Sequence, residues 1–384
     1  MVTPLNNRLY VVSYCTYLSK SVDIEPFISY NISMFDSTVK RIGFCCKYLD
    51  PDQTQKPKIL KEIQQNYTEK VTTVAWCNRQ EKHVAEERML DLVTHNMQSA
   101  YNLVEWVGTT LPAERRMVRL GSNQIPMATE PTWRYLWDDA NNQRILEDGF
   151  AKVGQLAKDL DVRISFHPGQ FCVLASDKPD VVERSLDEFE YHANMARWMG
   201  YGQEFMDMKL NIHISGRQGA QGIINILPKL SPEARNTIAI ENDEMCHGLD
   251  ESLKLEKHLA LVLDIHHHWI RDEEYIQADD ERIERIIDSW RGVRPTLHYS
   301  YSRDEWLPEP SLFESGSRHT TMHDLPSLLD LGCKKQKLRA HSDFYPNEKV
   351  NEWALSFFDN FDIQCEAKAK NLASEQLYLQ YINT

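Results

Sequence analysis

The sequence predicts a closed (β/α)₈ TIM barrel, and three observations carry that prediction. Six short apolar segments each run into histidine, aspartate or glutamate: RISFHPGQF (163–171), KLNIHIS (209–215), TIAIENDE (237–244), LVLDIHHH (261–268), PTLHYS (295–300) and FDIQCEAK (361–368). An apolar run with such an end is costly unless that end faces a cleft or an ion. These segments alternate with helical patterns, which implies parallel pairing and right-handed crossovers. RIGFCC (41–46) and VRLGS (118–122) raise the strand count to eight, the number a closed barrel needs, with its active site at the C-terminal strand ends. A doubly wound open sheet is the alternative, but it gathers ligands at one topological switch point. Here ligand residue types recur on six successive strands.

Taken in order, residues 1–40 read as an N-terminal extension holding an apolar piece, LYVVSYCTYL (9–18), and 41–384 as the barrel. The polar stretch DPDQTQKPKILKEIQQN after the first strand reads as a loop insertion. Met89, Leu92, Val93, Met97, Tyr101, Leu103 and Val104 recur near 3.6-residue spacing and predict a helix from Ala85 to Val107. Further helices are expected at 142–160, 180–199, 219–229, 250–258, 280–290 and 367–380. The segment 301–340, with Arg303, Trp306, Arg318 and His319, is longer than a usual βα loop and reads as an insertion ending in RAHSDF.

Composition bounds the function. With 42% hydrophobic and 26% charged residues the chain can afford a proper core. A net charge of −14 argues against a surface that coats nucleic acid generally, but not against a nucleic-acid enzyme whose divalent cations supply positive field locally. Eight cysteines with no CxxC read as reduced thiols. The start lacks a signal-peptide pattern, and no apolar run approaches the ~20 residues that span a bilayer. A cytoplasmic or otherwise intracellular protein is expected, nucleoid-associated on DNA, neither secreted nor bound to a membrane.

Imidazole and carboxylate ligands without cysteine suit Zn, Mn or Fe(II). A carboxylate can bridge two ions, and ions ~3.5–4 Å apart activate water in phosphodiester cleavage. HPGQF, NIHISG, IEND, DIHHH, LHYS, HSDF and EAKAK follow one another as in the UV damage endonuclease family, which the chain resembles from about 41 to 380. RIGF and VRLGSNQIP extend the match. The resemblance implies an endonuclease IV-like barrel of excision repair. Such an enzyme nicks damaged double-stranded DNA immediately 5′ to UV photoproducts and related lesions. It leaves a 3′-hydroxyl and a 5′-phosphate and uses two or three divalent ions, manganese foremost and zinc or iron as the other options.

Carried over by position, the resemblance implies that His167, His213 and Glu241 hold one ion. Glu241 bridges to a second, held by Asp264, His298 and Glu366, and His267 and His341 ligate a third, with Asp343 as helper. Glu241, Asp264, Glu366 and Lys368 form the expected catalytic set. Gln170 and Phe171 match the pair that probes the helix at a lesion, and Phe44 an aromatic residue that holds distorted DNA. Enzymes acting on damaged bases need such wedges, because extruding a nucleotide leaves a gap in the stack.

The chain departs from the family at Thr296, where a lysine is usual, and around Glu130, where a histidine is expected; both bear on the third ion or on the handling of substrate phosphate. Strict strand alternation with Asp264 inward favours His266 over His267, so the choice of His267 rests on the resemblance. Asp243 reads as a helix N-cap as readily as a catalytic group. Lys368 is either a solvated side chain or a phosphate contact. Arg119, Lys209, Arg217, Arg303 and Arg339 are candidates for DNA backbone contacts, and His192, His247, His258 and His323 read as surface or supporting residues. Competing functions on such a barrel are a two-metal sugar isomerase, a multinuclear iron oxidase acting on peptides, and a metal-stabilised binding protein without catalysis.

Overall fold

Eight parallel strands close into a barrel in sequence order: β1 (Ile42–Cys45), β2 (Met117–Arg119), β3 (Arg163–Phe166), β4 (Lys209–His213), β5 (Ile238–Glu241), β6 (Ala260–Asp264), β7 (Thr296–Tyr299) and β8 (Asp362–Cys365), with β8 pairing back onto β1. The computed structural model describes residues 36–205, 208–312 and 318–383. Most of the expected N-terminal extension therefore lies outside the described residues. The strands are short and buried on both faces, as helix-clad parallel strands must be.

The Lys82–Thr110 helix buries Met89, Leu92, Val93, Met97, Leu103, Val104 and Val107, while Tyr101 of the expected stripe is only half-buried. The expected loop insertion after β1 is instead partly helical, at Pro57–Gln64. Proline at the first position is preorganised for a helix and forgoes only an N–H with no intrahelical partner, and no residue of this helix is buried. The 301–340 insertion is pinned at its base by a bridge between Ser302 and His341. Within it lie short helices at Leu325–Asp330 and Lys335–Leu338.

The N-terminal end of the barrel is closed by a buried ion network. Asp362 accepts from Arg163 at 2.6 Å, from Arg294 at 2.8 Å and from the Arg41 backbone N–H at 2.8 Å. Lys209 belongs to this end, where its ammonium donates to the carbonyls of Phe205 and Asn236. It starts β4 at the end opposite the ligands, which removes it from the DNA-contact candidates.

Parallel register brings the ligands to one height. His213 pairs with Glu241 across β4 and β5, and Asp264 with His298 across β6 and β7. The C-terminal rim thus becomes a ring of donors.

Candidate metal centre

The donors fall into overlapping sets whose ligand atoms lie within 4.8 Å of one another: His167, His213 and Glu241; Glu241, Asp264 and His267; Asp264, His298 and Glu366; and His213, Glu244 and His267. The first and third gather the residues that the family resemblance assigns to two ions, and Glu241 of the first also faces His298 of the third at 3.0 Å. Glu241, Asp264 and His298 are fully buried.

Each histidine is oriented by a contact to its other ring nitrogen, the usual second shell of a metal-ligating imidazole. Nδ1 of His167 lies 2.9 Å from the Pro168 carbonyl, that of His213 3.1 Å from Asp243 Oδ2, that of His267 3.0 Å from the Asn242 carbonyl and that of His341 3.1 Å from the Glu366 carbonyl. These four therefore offer Nε2. His298 is reversed: Nε2 meets the Asn211 amide at 3.0 Å, and Nδ1 faces Glu241 Oε2 at 3.0 Å and Glu366 Oε1 at 3.5 Å.

The donor set passes a further test for metal. Behind the cluster Asn211 Oδ1 is buried without a hydrogen-bond partner, and within it so are Glu241 Oε1, Glu244 Oε2 and Asp264 Oδ2. Buried polar atoms are rarely left so, and these are ligand atoms facing one another. A half-turn of the Asn211 amide lets Oδ1 accept from His298 Nε2–H, leaving Nδ1 as the ligand; amide oxygen and nitrogen differ only by such an assignment.

Electrostatics point the same way. Burial disfavours an ionised Glu241, yet His298, His213 and a hydrogen bond from His167 hold its carboxyl well below the usual range. Burial pushes Asp264 up to about 7. Burial also works against a charged His267, but the carboxylates of Asp264, Glu241 and Glu244 outweigh it and lift this imidazole to about 10. So much converging negative charge calls for a cation.

The histidine run is resolved by a change of secondary structure. β6 stops at Asp264, and a helix, Ile265–Asp272, starts at once, with Asp264 Oδ1 accepting the His267 N–H at 2.7 Å. Helical rather than strand geometry governs the run, so strict alternation, which favoured His266, does not apply. His266 turns away to Ser300 and Ser302, at 2.8 and 3.1 Å, and His268 to Asp272 and Glu274.

A cavity of about 290 Å³ opens over the donors, lined by His167, His213, Glu244, His267, His341 and Glu366 together with Gln170, Arg119 and Arg339. Cys172 N–H donates to the Gly169 carbonyl at 2.9 Å, making Gln170 and Phe171 the central pair of a turn beside His167. Phe171 is 84% exposed, an unusual position for a phenyl ring. The turn is tied down behind it, where Ser185 Oγ accepts from Val173 N–H at 2.8 Å.

Several expectations are corrected. Phe44 is fully buried and packs edge-on to Trp106 in the helix layer, so its ring does not reach the rim to hold DNA. His341 lines the same cavity as His267, although no three-residue donor set among the described residues includes it. Lys368 is exposed beyond the strand end. Glu130 accepts the N–H groups of Thr132 and Trp133 at 2.9 and 3.0 Å, capping a turn. His192 is a core residue against Phe166 and Tyr191. Arg119 is ion-paired to Glu366, Arg217 to Asp177, Arg303 to Glu305 and Arg339 to Glu244. Glu244 and Asn211 were not singled out from the sequence, although Glu244 closes the TIAIENDE segment.

Fold and site together define a TIM-barrel protein whose strand ends converge on a donor set able to hold several metal ions. The sequence profile of the UV-endonuclease UvdE family matches residues 55–381. The chain belongs to that family, and so to the DNA repair endonucleases. It is 24% identical over 319 residues to a UV DNA damage endonuclease of Bacillus mycoides, covering 80% of this chain and 87% of the relative. To one of Bacillus velezensis it is 26% identical over 246 residues, covering 62% and 73%. The crystal structure of SacUVDE superposes with a TM-score of 0.65 at 22% identity, over 90% of this chain and 99% of that one, which supports the barrel fold. Among the described residues no helix is long and apolar enough to cross a membrane.

Proposed function

We propose that the chain nicks damaged duplex DNA immediately 5′ to UV photoproducts and related lesions, leaving a 3′-hydroxyl and a 5′-phosphate. It does so with two or three divalent ions, manganese first among them. The observation that carries this reading is the exposed Gln170–Phe171 turn on the rim of the cavity that the ligand set lines. A wedge for the duplex and a site for phosphodiester chemistry are thereby adjacent.

His167, His213 and Glu241 would hold one ion and Asp264, His298 and Glu366 a second, with Glu241 standing between the two sets. Such ions, when bound, neutralise the anionic phosphodiester and make water a competent nucleophile near neutral pH. The protein's part is positioning. Pro168, Asp243 and Asn211 fix the imidazole rings, so the donors are set before substrate arrives. The Arg119 guanidinium beside Glu366 adds fixed positive charge where the phosphate would lie. Phe171 fills the gap that an extruded lesion leaves in the stack, with Gln170 beside it. Water adds to phosphorus and the P–O3′ bond breaks; the departing O3′ takes a proton and becomes the 3′-hydroxyl. Lys368, exposed past β8, is assigned to a neighbouring phosphate rather than to the reacting atoms.

The reading is tested by incubating purified protein with Mn²⁺ and supercoiled plasmid. UV-irradiated plasmid should be nicked and intact plasmid spared, and Glu241→Gln should abolish nicking. Equal nicking of both plasmids, or full activity in the variant, would overturn it.

A further inference from the structure

Resting on the reading that the cluster binds divalent ions, we propose that Glu244 is itself a metal ligand. With His267 it builds the site of a further ion at the mouth of the barrel, where the sequence resemblance points instead to His341. The Nδ1 of His267 is committed to the Asn242 carbonyl, which leaves Nε2 as its donor. Glu244 Oε2 lies 3.6 Å from that nitrogen. This is too long for a hydrogen bond, yet two ligand atoms each about 2.1 Å from one tetrahedral ion stand roughly 3.4 Å apart.

Glu244 is only 9% exposed, and its Oε2 has no hydrogen-bond partner. Its other oxygen is 3.2 Å from the Arg339 guanidinium. One oxygen is thus neutralised from outside while the other is aimed at an imidazole nitrogen. Asp264 Oδ2, also buried without a partner, lies 3.7 Å from the same nitrogen and is the next donor within reach. The turn that carries Glu244 is held in place by Asp243, which accepts the N–H groups of Met245 and Cys246. His213 falls within the same set, but its one available nitrogen is used with His167 and Glu241.

Arg339 has a defined effect in this arrangement. A cation on Oε1 draws charge from the carboxylate and competes with the ion on Oε2, so removing it strengthens the site.

The test titrates chelator-stripped full-length protein with Mn²⁺ by calorimetry and counts retained manganese by mass spectrometry. Glu244→Gln keeps the side-chain volume and should retain one fewer ion per chain, with that site weakened about 100-fold or more. Arg339→Ala removes no ligand and should bind Mn²⁺ several-fold more tightly; the gain should vanish in the Glu244→Gln, Arg339→Ala double variant. An unchanged ion count and affinity in Glu244→Gln, or no tightening in Arg339→Ala, overturns the assignment. If wild-type protein retains manganese while Glu244→Gln matches it, this inference alone fails. If wild-type protein binds none, the metal-dependent reading fails with it.

Discussion

Asp243 holds His213 from behind. Its Oδ2 lies 3.1 Å from His213 Nδ1, while its Oδ1 accepts the N–H groups of Met245 and Cys246 at 2.7 and 2.6 Å. One carboxylate therefore both caps a turn and aims a metal-type ligand, so the two readings of this residue are not exclusive. Burial works to raise its pKa, but the His213 hydrogen bond and the two backbone donors pull it down to about 2. Asp243→Asn keeps the turn but removes the charge that supports the imidazole. Mn²⁺ affinity should fall about tenfold, since outer-shell partners contribute on that scale. Calorimetry reads it directly, and an unchanged affinity would show that Asp243 serves the turn alone.

Phe171 projects into solvent from the turn beside His167. Phe171→Ala should leave thermal stability within about 0.5 kcal/mol, because the ring has almost no packing to lose. Manganese binding should also stay as it is. Preference for UV-irradiated over intact plasmid should drop about tenfold, the scale of one lost base–aromatic stack. If stability falls while discrimination holds, the ring is packing and not a wedge.

Metal affinity should rise with pH. In the metal-free protein Asp264 keeps its proton to about pH 7 and His267 to about pH 10. Neither can ligate while protonated, so binding must release protons. Between about pH 6 and about pH 8 the Mn²⁺ dissociation constant should decrease, and calorimetry in buffers of different ionisation enthalpy should register proton release. A constant affinity with no proton release would contradict this picture of the site.

His192 makes stability depend on pH. It is fully buried, its Nδ1 lies 2.8 Å from the Glu188 carbonyl, and burial lowers its pKa to about 4, well below that of a free imidazole at about 6.5. The folded pKa is depressed, so the unfolded chain binds this proton first. Stability is then fully present above about pH 6.5 and lost as pH falls toward about 4, by up to about 3 kcal/mol. His192→Leu should flatten that part of the profile in denaturant titrations; an unchanged slope would assign it to other groups.

The strand ends were readable because two periodicities coincide. An apolar run that ends in a ligand residue marks a strand and its exit, and parallel topology sends every exit to the same rim. That logic brings the six strand-end segments to one rim, and the family resemblance selects His167, His213, Glu241, Asp264, His298 and Glu366 within them. It failed where strand geometry stopped. His267 could not be chosen over His266 by alternation, because a helix begins at Ile265 and rotates the run. Phe44 is hidden for the opposite reason: all four residues of β1 are buried, so nothing in the pattern separates a ring facing the helices from one facing the cleft. Glu244 stood in plain sight at the end of its segment, but only the turn after β5 shows that its carboxylate folds back toward His267.

Lesion-directed cleavage at this donor cluster is read out on an end-labelled duplex carrying a single UV photoproduct, incubated with the protein and Mn²⁺. One incision is expected immediately 5′ to the photoproduct, with 3′-hydroxyl and 5′-phosphate ends, and none in the undamaged duplex. An intact labelled strand, or the same cleavage with and without the photoproduct, would contradict it.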